Sequence, residues 1–169
     1  EMRKLFVVLF GVVVSVFLNS PLQAGDSATA QEVVQKVNEA IAYVGKTGKS
    51  KFAEFNDQKG KWVWGGTYVF VMKCEPFPSL VTHPIKPKLI GRDLSKLKDK
   101  TGNYFFIQLC DVTKNPKGGW VEYLWPKPGE KKSSRKISYC RNIPGTPYQA
   151  GAGIYDDSIS LEDLNKLSK

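Results

Sequence analysis

The chain has 169 residues, with 25 Lys and Arg against 16 Asp and Glu, one histidine, three cysteines and a net charge of +9. The basic residues are dispersed with carboxylates among them and never run to five, which reads as a solvated surface and excludes a nucleic-acid-binding tract. A single histidine and the lack of any Cys-x-x-Cys exclude a zinc site of the usual spacing. No phosphate-cradling glycine loop and no nucleophile, base and orienter set is visible in the sequence, so the expectation is a protein that is not an enzyme and uses no cofactor.

Arg3 and Lys4 precede an apolar run from Leu5 to Leu18 and then "NSPLQA", ending at Ala24. That order of basic, apolar and small residues predicts a signal peptide over residues 1–24. The run is shorter than the roughly 20 residues that span a bilayer. The expected location is therefore periplasmic or secreted, the alternative being anchorage by an uncleaved N-terminal helix. Residues 25–169 are expected to form one domain. In such an oxidising compartment three cysteines imply one disulfide and one odd thiol.

Val33, Val34, Val37, Ala40, Ile41 and Val44 recur at steps of three and four, which predicts an amphipathic helix from Ser27 to about Gly45, with Asp26 or Ser27 as N-cap. "KSKFAEFND" reads as a short second helix ending at the turn "DQKGK". "KWVWGGTYVFVMKC" has strand composition, with Gly65 and Gly66 as a turn or bulge. Tyr68, Phe70 and Met72 share one face and Val69 and Val71 the other. Both faces are apolar, so this strand is expected to be central and covered twice. "EPFPS" is a turn, "LVTHP" a short strand, and "IKPKLIGRDL" a loop whose prolines forbid regular pairing.

Ser95 is a candidate cap for a helical turn. Phe105, Phe106, Leu109 and Val112 then predict an amphipathic helix, although "YFFIQL" also suits a strand. "WVEYLWP", "RKISYCRNI" and "YQAGAGIYD", separated by "KPGEKKSS" and "PGTP", predict an antiparallel meander. "SLEDLNKL" closes the chain as a short helix. The sum is an α+β fold, a long N-terminal helix on a five- to six-stranded antiparallel sheet whose other face is covered by loops, the layout of PAS-like sensor domains.

The motifs "GTYVFVMKC", "THPIKPKLIGRDL", "GGWVEYLWPKPG", "RKISYCRNIPGTPY" and "GAGIYDD", in this order between Thr67 and Asp157, resemble a single Cache domain of the second type. The resemblance implies a PAS-like extracytoplasmic sensor with a pocket for a small molecule, often a short organic acid, feeding chemotaxis or signal transduction. The receptors of this family continue into a second membrane segment and an output domain, neither of which is seen here. The expectation is a stand-alone exported form, with a receptor fragment as the alternative. A membrane receptor or kinase partner would then read it, and a homodimer through the N-terminal helix is a further expected association. A competing expectation is an envelope module that binds proteins and has no small ligand.

A carboxylate withdrawn from water needs a cation or strong donors and walls that exclude solvent. Strand alternation places Val121, Tyr123, Trp125 and Lys127 on one side, provided the strand stays regular through Pro126. Lys127 would be a carboxylate partner at the rim, or else an exposed hairpin lysine. His83, held extended by Pro84, would donate to a ligand oxygen or else cap a turn through backbone carbonyls. Tyr68 and Phe70 are candidates for the floor, Tyr139 with Ile137 for a wall, Tyr155 for the far wall, and Lys136 for a second charge on the face opposite Tyr139. Gly151 and Gly153 clear space for a close approach by the ligand or the N-terminal helix. Cys74 at a strand end and Cys110 on the helix returning to the sheet are the expected disulfide, with Cys110 to Cys140 as the competing pair.

Overall fold

The computed structural model describes residues 27–167; the predicted signal peptide lies outside the described residues. The first helix, α1 (Ala30–Thr47), starts on a reciprocal cap. The Thr29 hydroxyl accepts from the Glu32 N–H, and the Glu32 carboxylate accepts from the Thr29 N–H at 2.8 Å. The cap is therefore Thr29 rather than Asp26 or Ser27, because Thr29 has the acidic partner three residues on that a capping box requires. The α1 stripe Val33, Val37, Ala40 and Val44 is buried. "GKSKFAEFN" follows as a 3-10 helix over Gly48–Asn56, which brings Phe55 into a stack on Trp62 at 4.5 Å.

Six antiparallel strands follow: β1 (Val63–Trp64), β2 (Thr67–Lys73), β3 (Ser79–Thr82), β4 (Gly119–Pro126), β5 (Ser133–Asn142) and β6 (Tyr148–Ile154). The order across the sheet is β1-β2-β6-β5-β4, with β3 also pairing β2. Gly65 and Gly66, at φ +46° and +70°, make the tight β1–β2 turn. As expected, β2 is central and buried on both faces. Val69 and Val71 pack under α1 with Ile137, Ala150, Ala152 and Ile154. Tyr68, Phe70 and Met72 pack on the opposite side with Leu80, Val121, Tyr123 and the helix α2 (Phe105–Val112).

The ambiguous "YFFIQL" is thus helical, since its 3.6-residue stripe of Phe105, Phe106 and Leu109 has a sheet face to cover. Ser95 caps no helix: its N–H donates to Asp93 in a turn. Cys74 and Cys110 form the disulfide, and Cys140 is a buried free thiol. The meander β4-β5-β6 and the closing helix α3 (Leu161–Leu167) agree with the sequence reading.

Candidate functional site

The α2 side of the sheet holds an aromatic box. Tyr68 and Phe70 of β2 form its floor, Tyr123 and Trp125 of β4 one wall, and Leu80, Phe105, Phe106 and Leu109 the other. His83, just past β3, and Lys136 of β5 complete it around a cavity of about 10 Å³, room for on the order of one water. The box is closed over its own side chains. Tyr123 stacks on Phe105 at 4.4 Å, and its hydroxyl shares a hydrogen bond with Ser138 at 2.9 Å.

Lys136 is 1% exposed. Its Nζ lies 4.1 Å from the Tyr68 ring centre, 5.1 Å from that of Tyr155 and 6.0 Å from that of Phe70. It makes no ion pair among the described residues. The π faces only partly replace the water it has lost, and burial pulls its pKa down to about 7. Lys136 is opposite Tyr123 in the β4–β5 ladder, so strand pairing as well as the aromatic wall fixes its place.

His83 is 3% exposed, with its ring 4.6 Å from that of Tyr68. Its Nδ1 accepts the N–H of Ile85 at 3.2 Å and of Lys86 at 3.0 Å, and its own N–H donates to Asn56 Oδ1. It does cap a turn, but through amides rather than carbonyls. Two donors at Nδ1 leave the proton on Nε2, so the neutral ring is a hydrogen-bond donor. Burial first, then the charges of Lys136 and Lys86, lower its pKa to about 3.

Trp125 donates from Nε1 to the Tyr68 hydroxyl at 3.1 Å, and Tyr155 donates to the Pro126 carbonyl at 2.8 Å. Burial holds the phenols of Tyr68, Tyr123 and Tyr155 above their usual range. Of the residues singled out from sequence, the fold therefore gathers Tyr68, His83, Tyr123, Trp125 and Lys136, with Tyr155 at the edge.

Two candidates lie elsewhere. Tyr139 is on the α1 side with Ile137, its hydroxyl bonded to the Lys117 carbonyl. The apolar stripe of α1 demands apolar partners, and that sets which face of β5 turns toward it. Lys127 lies past Pro126, where β4 ends and alternation stops. It lines a separate cleft of about 230 Å³ with Ser27, Gly66, Thr67, Glu130 and Tyr155. Leu80, Phe105, Phe106 and Leu109 were not singled out as pocket residues, since an apolar stripe looks the same whether it meets a solid core or a box.

A family model for the Cache domain matches residues 63–160. The chain belongs to the Cache domain family. The methyl-accepting chemotaxis protein McpP of Pseudomonas putida is 32% identical over 90 residues, which cover 53% of this chain and 16% of that protein. This chain therefore corresponds to only a small part of that relative. Among solved structures, a Cache chemosensory domain studied for carboxylic acid recognition superposes with a TM-score of 0.60 at 25% identity, covering 76% of this chain and 88% of that one. The periplasmic sensor domain of a chemotaxis protein gives 0.61 at 25% identity, covering 82% and 100%. A methyl-accepting chemotaxis protein from Vibrio parahaemolyticus, at 21% identity, TM-score 0.62 and coverage of 77% and 90%, shares the fold. Cache domains are extracytoplasmic sensor domains, and none of the described helices is long and apolar enough to cross a membrane.

Proposed function

We propose that residues 25–169 form a non-enzymatic ligand-binding domain that senses a short organic carboxylate outside the cytoplasm. The observation that carries this reading is Lys136, a buried ammonium with no counter-charge among the described residues, facing an aromatic box. A carboxylate would supply that charge, accept a hydrogen bond from His83 Nε2, and lay its carbon chain against Phe105, Phe106 and Leu109. In this reading the closed box opens by movement of the half-buried Trp125 or Tyr155, with Lys136 held in place. The likeness to a domain studied for carboxylic acid recognition and to chemotaxis receptors supports the same class. In this reading output goes through a membrane receptor or kinase, and α1 pairs with a second copy.

The test is thermal stability against acetate, propionate, succinate and alanine. A ligand at 100 times its Kd raises stability by about 2.7 kcal/mol, several degrees for a domain of this size, and Lys136→Met abolishes the shift in a folded protein. A second reading, an envelope interaction module with no small ligand, draws on the box being filled by its own side chains. Under that reading no compound in the panel shifts the transition.

A further inference from the structure

The pocket face of β6 has no side chains at Gly151 and Gly153, and the two glycines clear space for different groups. A Cβ at Gly151 would meet the Phe70 ring at 2.5 Å. A Cβ at Gly153 would fall inside the Ser138 hydroxyl and within 2.8 Å of both the Ile137 carbonyl and Lys136 Cε. The N-terminal helix does not need this room, because α1 lies on the opposite side of the sheet. Neither residue has a positive φ, so backbone freedom does not explain glycine at either place. Room does.

The registers show what the room is for. Gly153 is opposite Ser138 on β5, and the pairing of Val69 with Ala152 brings Tyr68 of β2 level with it on the other side. Adjacent strands are about 4.8 Å apart, so β2 is roughly 9.6 Å from β5. Lys136 starts on β5, yet its ammonium lies over the Tyr68 ring, so its methylenes have to run flat across β6. The Thr67 hydroxyl, bonded to the Gly153 carbonyl, fixes that strand beneath the lysine.

We propose that Gly153 is a positioning residue for the ligand-binding cation: its missing side chain lets Lys136 cross β6 and present its ammonium in the aromatic box. The proposal rests on the carboxylate reading for its biological meaning and on packing alone for its geometry.

The test is Gly153→Ala in a Ser138→Gly background, which removes the nearest clash, compared with Ser138→Gly alone and with Gly151→Ala, whose methyl would first meet the Phe70 ring. The readouts are acetate affinity as a function of pH and the NMR titration of Lys136. Gly153→Ala is expected to weaken acetate at least tenfold relative to its background, to abolish the ring-current shift of the Lys136 Hε protons, and to return the amine toward the ordinary lysine range. Gly151→Ala is expected to leave the amine titration in place. A folded double variant with the titration and affinity of its background overturns the proposal. If the double variant does not fold, the wild-type protein decides: a nuclear Overhauser contact between Gly153 Hα and Lys136 Hε supports the crossing, and its absence overturns it. If the wild type takes up no carboxylate, or Lys136→Met binds as tightly as wild type, the ligand reading falls. The titration and Overhauser readouts still settle Gly153.

Discussion

The two faces of this sheet are built to different ends from the same strands. Under α1 lie Val69, Val71, Ile137, Ala150, Ala152 and Ile154, meeting Val33, Val37, Ala40 and Val44. Under α2 the alternating residues of those strands are Tyr68, Phe70, Lys136, Ser138 and two glycines. Among the described residues both deeply buried bases, Lys136 and His83, are on the α2 side. A buried charge without a partner costs stability, so the first face holds the domain together and the second keeps an uncompensated cation that a ligand could satisfy.

The largest effects come from removing a constraint on each face. α2 has eight residues and no side-chain cap at Tyr104, too short to be stable alone, and the Cys74–Cys110 bond ties it to the end of β2 across a separation of 36 residues. Replacing both cysteines by serine is expected to lower stability by roughly 3–4 kcal/mol in the chain-entropy model, and also to weaken ligand binding, because α2 carries Phe105 and Phe106. On the α1 side, Ile143 is fully buried at the far end of β5. Ile143→Ala is expected to cost about 2–4 kcal/mol while leaving ligand affinity unchanged under folding conditions. Urea unfolding paired with calorimetric titration reads both. Equal loss of affinity in the two variants would erase the division of labour.

Lys136→Met sharpens the contrast because its sign is opposite. Replacing the buried ammonium by a chain of similar volume is expected to stabilise the protein without ligand by about 1–3 kcal/mol and to abolish carboxylate uptake. The pH dependence follows from the lowered pKa of about 7 against 10.5 for the unfolded chain. Between these values the unfolded state binds more protons, so the lysine penalty is full below pH 7 and is relieved as pH rises toward 10.5. Under the carboxylate reading binding requires the charged form of Lys136, so affinity is expected to fall up to about tenfold per pH unit above 7. His83, lowered from 6.5 to about 3, acts on the acid side: the unfolded state takes up a proton that the native state refuses, and stability declines as pH falls from 6.5 toward 3. A stability profile in which Lys136→Met keeps the wild-type slope above pH 7 would contradict the assignment.

Alternation and periodicity made the layered fold readable, because one-sided burial leaves a regular imprint on β2, β5 and α1. The candidate site is legible where that imprint is broken: a histidine next to a proline, or a lysine inside "RKISYC". Which face of β5 turned toward α1 was not readable, since Ile137 and Tyr139 suit a pocket wall as well as a core. The reach of Lys136 across Gly153 was hidden too, because it depends on the β5–β6–β2 register rather than on local sequence. Lys127 lines a different cleft for a local reason: alternation does not extend past Pro126, where the strand ends.

The smallest expected effect tests the α1 side at its margin. Thr29 satisfies the Glu32 N–H, and Glu32 returns a bond to the Thr29 N–H, so Thr29→Ala removes one side of a reciprocal pair. Loss of such a cap costs about 1 kcal/mol. The cap is at the start of α1, away from the box, and its loss should fray the first turn without touching Lys136. Thermal unfolding should move down by a few degrees, amide exchange should quicken at residues 30–33, and carboxylate affinity and the Lys136 titration should stay at wild-type values. If the lysine titration moved as well, α1 would be coupled to the pocket through the sheet, and the two faces would have to be treated as one element that transmits the ligand's presence to the helix.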